Sequence, residues 1–305
     1  MQISVIIPIY NAANFLIKAT QSALDQPEVA EVVLVEDASP DNALEIAKEL
    51  AKSEDRVKIF QHPDKKNHGA GASRNLGIEK SVCDYIAFLD ADDYYLPDRF
   101  KKTKSVFRKN PESEGVYEAI GIHFYIKKNM DSYLTRKNGY LLTTIEEGIP
   151  ADQLFSTFLL GKKGWWHLNG FTIKRSILKK TGFFDPILKQ TQDTDFILRA
   201  CLTERLSAGQ LDTPVAMRGV HNENRISNDV LREKYQRLFY SKWFKKMLSE
   251  NWGKKINRFL LRIYMTTHPL IVTRIPSHGL ARIPAKILLA IFLLLRYPRL
   301  LTKII

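Results

Sequence analysis

The first hundred residues switch regularly between two hydrophobic periods. Apolar runs, interrupted only by Ser4 and Lys58, occupy residues 3–9, 32–35, 57–60 and 85–89, while residues 12–24, 40–52 and 70–80 between them carry apolar positions at helical spacing. A strand with one face in water alternates apolar and polar side chains; one that is apolar throughout has both faces covered. This order predicts a mostly parallel, doubly wound sheet with helices on both sides, whose ligands gather at the carboxyl ends of the strands. Beyond residue 110 the pattern loosens, with mixed strands expected at 115–125 and 167–173, a helix over 194–203, and mainly helices after 229. The absence of a Gly/Ser or Pro-rich linker implies one domain over 1–228, in halves 1–110 and 111–228, and a helical appendage at 229–305.

Charge separates that appendage from the rest. Of 46 Lys and Arg residues, 16 lie from Val230 onward with only two of the 33 acids, Glu233 and Glu250, a local charge of +14; the preceding 229 residues carry −1. The basic character therefore describes the appendage and needs an anionic partner. Lys286 and Arg296 enclose nine apolar residues, and residues 263–273 are bounded by Arg262 and Arg274 and interrupted by Pro269. As a helix, the first stretch spans about 14 Å against a bilayer core of roughly 30 Å, so it does not cross. Short apolar helices flanked by Lys and Arg suit an in-plane position on an anionic membrane; the competing reading is a pair of buried helices. Nucleic acid is not expected, because no basic recognition helix or aromatic-interleaved groove is present. Two cysteines, Cys83 and Cys201, in no metal-ligand spacing, and no secretory signal pattern at the start point to a reducing cytoplasm.

The chemistry sits at the strand ends. Strand one runs into Pro8-Ile9-Tyr10-Asn11, strand two into Glu36-Asp37-Ala38-Ser39-Pro40-Asp41, and strand four into Asp90-Ala91-Asp92-Asp93. Carboxylates at i and i+2 after a strand suit a hard divalent cation, which offsets charge on a leaving diphosphate; the alternative is that they cap the next helix. Trp165 and Trp166 are positioned to stack on a sugar face or to pack in the core.

Four segments in order, Ser4-Val5-Ile6-Ile7-Pro8-Ile9-Tyr10-Asn11, Val33-Leu34-Val35-Glu36-Asp37-Ala38-Ser39-Pro40-Asp41, Ala72-Ser73-Arg74-Asn75-Leu76-Gly77 and Phe88-Leu89-Asp90-Ala91-Asp92-Asp93, resemble family 2 glycosyltransferases. The resemblance implies a GT-A fold and an inverting transfer of a sugar from a nucleotide-diphosphate donor, expected to be UDP-linked, to a glycan or lipid-linked glycan in cell-surface polysaccharide synthesis. It makes residues 1–110 the donor half and 111–228 the acceptor half. Asp37, beside Glu36, would hydrogen-bond the nucleobase, with Pro8 and Tyr10 as its contact wall. Arg74 would lie near the nucleotide, Asp90 against the ribose or sugar, and Asp92 on Mn²⁺ or Mg²⁺. His221 matches a position that often serves the metal or diphosphate, and Asp193, in Gln192-Asp193-Thr194-Asp195, matches the general base. Relatives usually carry two aspartates where Glu36-Asp37 stands, glycine at Ala38 and Glu at Gln192. His62, His68, His123, His167, His268 and His278 receive no role. Weighed against this are a nucleotidyltransferase, disfavoured by the lack of a glycine-rich phosphate loop after strand one, and an inactive membrane-bound scaffold. The expected location is the cytoplasmic face of the membrane, through residues 230–305.

Overall fold

The computed structural model describes residues 1–125, 141–161, 163–221, 229–250, 252–267, 293 and 297, in two compact units, Met1–Arg225 and Ile226–Ile305. The first unit opens as β1 (Ile3–Ile9), α1 (Ala13–Leu24), β2 (Val29–Glu36), α2 (Ala43–Ser53), β3 (Val57–Gln61), α3 (Ala70–Lys80) and β4 (Tyr85–Phe88). It continues through β5 (Tyr94–Tyr95), α4 (Lys101–Lys109), β6 (Gly115–Tyr117), β7 (Ile120–Phe124), β8 (Leu142–Thr143), α5 (Ala151–Leu160), β9 (Phe171–Lys174), α6 (Leu178–Thr181), α7 (Gln192–Thr203), β10 (Leu206–Ala208) and β11 (Ala216–Val220).

The main sheet has the order β10-β6-β9-β4-β1-β2-β3. Strands β1 to β4 are mutually parallel where they pair. β9 runs antiparallel between β4 and β6. A smaller sheet orders β5-β11-β7-β8. Buried residues of α1 (Leu16, Ala19, Ala23) close one face of β1 and β2. On α3, a Cβ at Gly77 would fall 2.4 Å from Ile6 Cγ2, so the missing side chain sets how closely this helix approaches β1.

Helix α2 begins at Ala43, three residues later than its periodicity suggests, because residues 39–41 are occupied by a turn. Asp41 accepts the N–H groups of Ala13 (2.8 Å) and Ala43 (3.3 Å) together with the Ser39 hydroxyl. These side-chain bonds satisfy the helix-start donors that water or a regular cap would otherwise take.

In the second unit, α8 (Asp229–Ser249) and α9 (Lys254–Thr267) pack together. Tyr235, Phe239, Trp243, Phe244 and Met247 of α8 are buried with Ile256 and Leu260 of α9, and Phe244 stacks on Tyr264 at 4.1 Å. The apolar stretch 287–295, apart from Leu293, and residues 268–273 lie outside the described residues.

Candidate active site

The register of the parallel strands places the acidic turns side by side. Ile6 pairs with Phe88, and Pro8 and Ile9 pair with Val35 and Glu36. Asp90 follows Phe88 by two residues, Tyr10 and Asp37 directly follow Ile9 and Glu36, and with Pro8 they lie on the same carboxyl edge.

The turn after β2 spends its carboxylates on the backbone. Asp37 is 1% exposed; its Oδ1 accepts the His68 N–H at 2.7 Å and its Oδ2 the Gly69 N–H at 2.8 Å. It thereby fixes the approach to α3. Glu36 accepts the Ser39 N–H and, on its other oxygen, Gln61 Nε2 at 2.6 Å. Ala38 adopts φ +55°, a left-handed conformation that costs a residue with a Cβ roughly 1–2 kcal/mol and explains glycine's preference there. Tyr10 is 37% exposed above this turn.

The turn after β4 is held differently. Asp90 is paired with the Arg74 guanidinium, and Asp92 Oδ2 lies 3.0 Å from His221 Nε2. Asp93 is buried, accepting Asn169 Nδ2 on one oxygen and the Gly219 N–H at 2.7 Å on the other. Burial raises the Asp90 carboxyl, but Arg74 first, then His167 and Arg218, outweigh it and hold it below its ordinary value. For Asp93 the balance reverses: burial, then the Asp92 and Asp90 charges, push its carboxyl well up. Asp90, Asp93 and His167 offer ligand atoms within 4.8 Å of one another. Three carboxyls gathered in one turn, with imidazoles facing them from other segments, form a donor set of oxygen and nitrogen that fits a hard divalent cation. Both Asp93 oxygens are already engaged within the protein, and Asp92 and His221 face each other at 3.0 Å. Arg74 is 3% exposed, and its Nε and Nη1 are buried without a hydrogen-bond partner. A donor phosphate oxygen would satisfy them, since a guanidinium matches such oxygens in geometry and charge.

Asp193 stands in the first turn of α7, with Oδ1 accepting the Thr194 N–H at 2.8 Å. The residue before the helix, Thr191, has φ +64°, a strained entry of the sort found where a helix start is aimed. Gln192 packs over the start of α3, where a Cβ on Gly71 would lie 3.3 Å from Gln192 Cγ. The neighbouring Asp195 is fully buried and paired at 2.9 Å with Arg199. Arg199 also donates to the carbonyls of Thr181 and Phe183, which ties α7 to the preceding loop. Trp165 is 38% exposed, whereas Trp166 is fully buried, stacked at 4.3 Å on Tyr117 and flanked by Phe158. Of that pair, only Trp165 reaches solvent.

Three groups in this neighbourhood received no role from the sequence. His167 is buried beside Asp90; desolvation lowers its basicity despite the attraction of Asp90. Asn169 bonds to both Asp90 and Asp93. Arg218, on β11, adds positive charge to the surroundings of Asp90 and Asp93. The Asn-Gly pair opening an apolar run is a visible turn signal at 169–170, but nothing local points it at residues eighty positions away.

Comparison with known proteins identifies the family and the fold. The description "Glycosyl transferase family 2" matches residues 4–184, more than half of the chain, and the chain belongs to that family. A protein of Haemophilus influenzae described as an uncharacterised glycosyltransferase is 38% identical over 109 residues, 35% of this chain and 43% of the relative. The chain thus spans less than half the length of that curated relative. Staphylococcus aureus TarS 1–349, solved with UDP-GlcNAc, superposes with a TM-score of 0.62 at 18% identity, covering 94% of this chain and 79% of the other. A Pyrobaculum calidifontis mannosyltransferase, solved with GDP-Man and Mn²⁺, gives 0.55 at 15% identity over 96% and 80%. At these identities the likeness establishes the GT-A fold.

Proposed function

We propose that this chain is an inverting, cation-assisted glycosyltransferase that moves a hexosyl or N-acetylhexosaminyl group from a UDP-sugar to a hydroxyl of a glycan or lipid-linked glycan. The observation that carries this reading is the charged constellation at one sheet edge of a family 2 chain: Arg74–Asp90 beside Asp92–His221. In this reading Tyr10 and Pro8 form the wall of the base pocket. Asp37 and Glu36 shape that pocket from beneath by holding the backbone at 68–69 and at Ser39. Asp90 faces the ribose or sugar, and Arg74 neutralises phosphate through its buried N–H donors that have no hydrogen-bond partner. A divalent cation held by Asp92 and His221 would offset charge on the diphosphate. Asp193 takes the proton of the acceptor hydroxyl. The acceptor oxygen bonds to the anomeric carbon while the bond from that carbon to the diphosphate oxygen breaks, and the centre inverts. Trp165 offers a stacking face to the acceptor.

The solved TarS complex with UDP-GlcNAc supports the UDP donor, and the Mn²⁺ in the mannosyltransferase structure supports the cation. A screen of UDP- and GDP-sugars for hydrolysis and thermal stabilisation, with Mn²⁺, Mg²⁺ or EDTA, tests the reading. Cation-dependent turnover of a UDP-sugar is the expected result, and indifference of the protein to every nucleotide-sugar sinks it.

The second unit is assigned to an anionic membrane surface at the cytoplasmic face. Lys254, Arg258 and Arg262 are exposed at four-residue spacing on α9 while Ile256 and Leu260 are buried, so positive charge forms a stripe opposite the packed face. No described helix is long and apolar enough to cross a membrane. Neutralising these three charges to Gln should weaken sedimentation with phosphatidylserine vesicles by about 5-fold per residue. Unchanged sedimentation counts against the assignment.

A further inference from the structure

We propose that Asn169 is the positioning residue of the acidic turn: its one side-chain amide sets how Asp90 and Asp92 are presented and couples that turn to His221. The inference rests on the reading of Asp92 as a cation ligand.

Asn169 is fully buried. Its Oδ1 accepts the Asp90 N–H at 3.2 Å, and its Nδ2 donates to the Asp93 carboxylate. The two bonds grip the turn at its first and last residues, and the Asp93 N–H closes it on the Asp90 carbonyl at 3.0 Å. Asp92 lies between the gripped points. The second Asp93 oxygen takes the Gly219 N–H, two residues before His221. A Cβ on Gly219 would fall 2.4 Å from the Asp92 carbonyl oxygen, so β11 lies directly against the turn. One amide thus reaches, through Asp93, the strand that carries the imidazole facing Asp92.

The clasp is itself anchored. The Asn169 carbonyl accepts Arg99 Nη2 at 3.0 Å, and its N–H is 3.3 Å from His167 Nδ1. Arg99 is paired with Glu118, both fully buried, and Glu118 also takes the Thr103 hydroxyl at 2.6 Å and the Gln210 N–H at 3.2 Å. A Cβ on Gly170 would meet the Glu118 carbonyl oxygen at 2.2 Å, so the turn carrying Asn169 is seated against the chain leaving β6. The amide is the required chemistry. Asp would set a second carboxylate against Asp93, Leu would offer neither donor nor acceptor, and Gln would add a methylene to a closed space. A displacement of about 1 Å at reacting groups can cost on the order of 100-fold in rate.

The test uses the full chain with a turned-over UDP-sugar and a Mn²⁺ titration. Asn169→Asp should raise the Mn²⁺ concentration for half-maximal activity at least 10-fold, while UDP still stabilises the protein thermally in EDTA. The exchange Asn169→Asp with Asp93→Asn preserves one donor and one acceptor across the contact and should return half-saturation to within about 3-fold of wild type. A general packing role predicts parallel losses of thermal stability, UDP binding and activity, with no separate change in Mn²⁺ dependence; that pattern overturns the proposal. So does an exchange variant no better than the single one. A wild type indifferent to Mn²⁺ overturns the underlying cation reading and the clasp with it, whereas a Mn²⁺-dependent wild type and an unaffected Asn169→Asp overturn the clasp alone.

Discussion

The turns after β2 and β4 look alike in sequence and differ in what they do with their charges. Each follows a buried parallel strand, and each carries three carboxyls: Glu36, Asp37 and Asp41 in one, Asp90, Asp92 and Asp93 in the other. The first turn is held mainly by backbone N–H groups, those of Ser39, His68, Gly69, Ala13 and Ala43, with His62 Nε2 a further 3.6 Å from Asp37. Such bonds build a scaffold, because a buried donor that loses its acceptor has no alternative. In the second turn only Asp93 is committed to that use; Asp90 and Asp92 face Arg74 and His221. Side-chain partners on separate segments can be exchanged for a ligand. Proximity to the carboxyl edge therefore does not by itself fix a carboxylate's role; the two turns differ in the chemical nature of their partners.

This contrast predicts activity effects around the second turn and stability effects around the first. The largest is expected at Asp193→Asn, where removing the base should lower kcat by about 10²–10⁴-fold with UDP binding by calorimetry retained; joint loss of both would reassign Asp193 to structure. Asp92→Asn should cost on the order of 100-fold in turnover and abolish the response to Mn²⁺, with an unaltered melting temperature. A melting temperature that fell with it would erase the distinction between the turns. Asp37→Ala strands the His68 and Gly69 donors and should destabilise the domain by about 2–4 kcal/mol, or several degrees in Tm. If it instead leaves Tm unchanged and weakens UDP binding, Asp37 contacts the base directly, and the first turn belongs to the site as much as the second.

The smallest effect concerns pH. Burial raises the Asp41 carboxyl, but the Ser39 hydroxyl and the Ala13 and Ala43 N–H groups outweigh it and lower its value in the folded state. Its contribution is present above the unfolded value of about 3.9 and is lost as pH falls through the lower folded value. Asp41→Asn should therefore flatten the decline of Tm below about pH 4. A decline identical to wild type would show that another carboxylate governs the acid limb.

Much of residues 1–110 was legible because the information there is local. Apolar runs at 3–9 and 85–89 identified buried strands, and the residues immediately following them had to emerge at an edge. Ala38 illustrates the limit of such reading: the expected glycine signalled a special turn, while the left-handed backbone itself appears only in the fold. The tryptophans show the same limit. Adjacent in sequence and identical in chemistry, Trp165 reaches solvent and Trp166 fills the core beneath Tyr117, because neighbouring positions of an extended segment point to opposite sides.

From the chain alone came the alternation of strand and helix, the acidic edge, the family resemblance and the segregation of positive charge after Val230; each depends on residue type and spacing along a few turns of backbone. The tertiary structure alone decided that β9 inserts antiparallel between β4 and β6. That insertion brings Asn169 to Asp90 and Asp93. Strand order depends on which distant edges bury the most surface together, and hydrogen bonds between residues eighty positions apart leave no periodic trace in either segment. Carboxylates could be located by reading along the chain, but which were scaffold and which were site depended on partners that folding delivered.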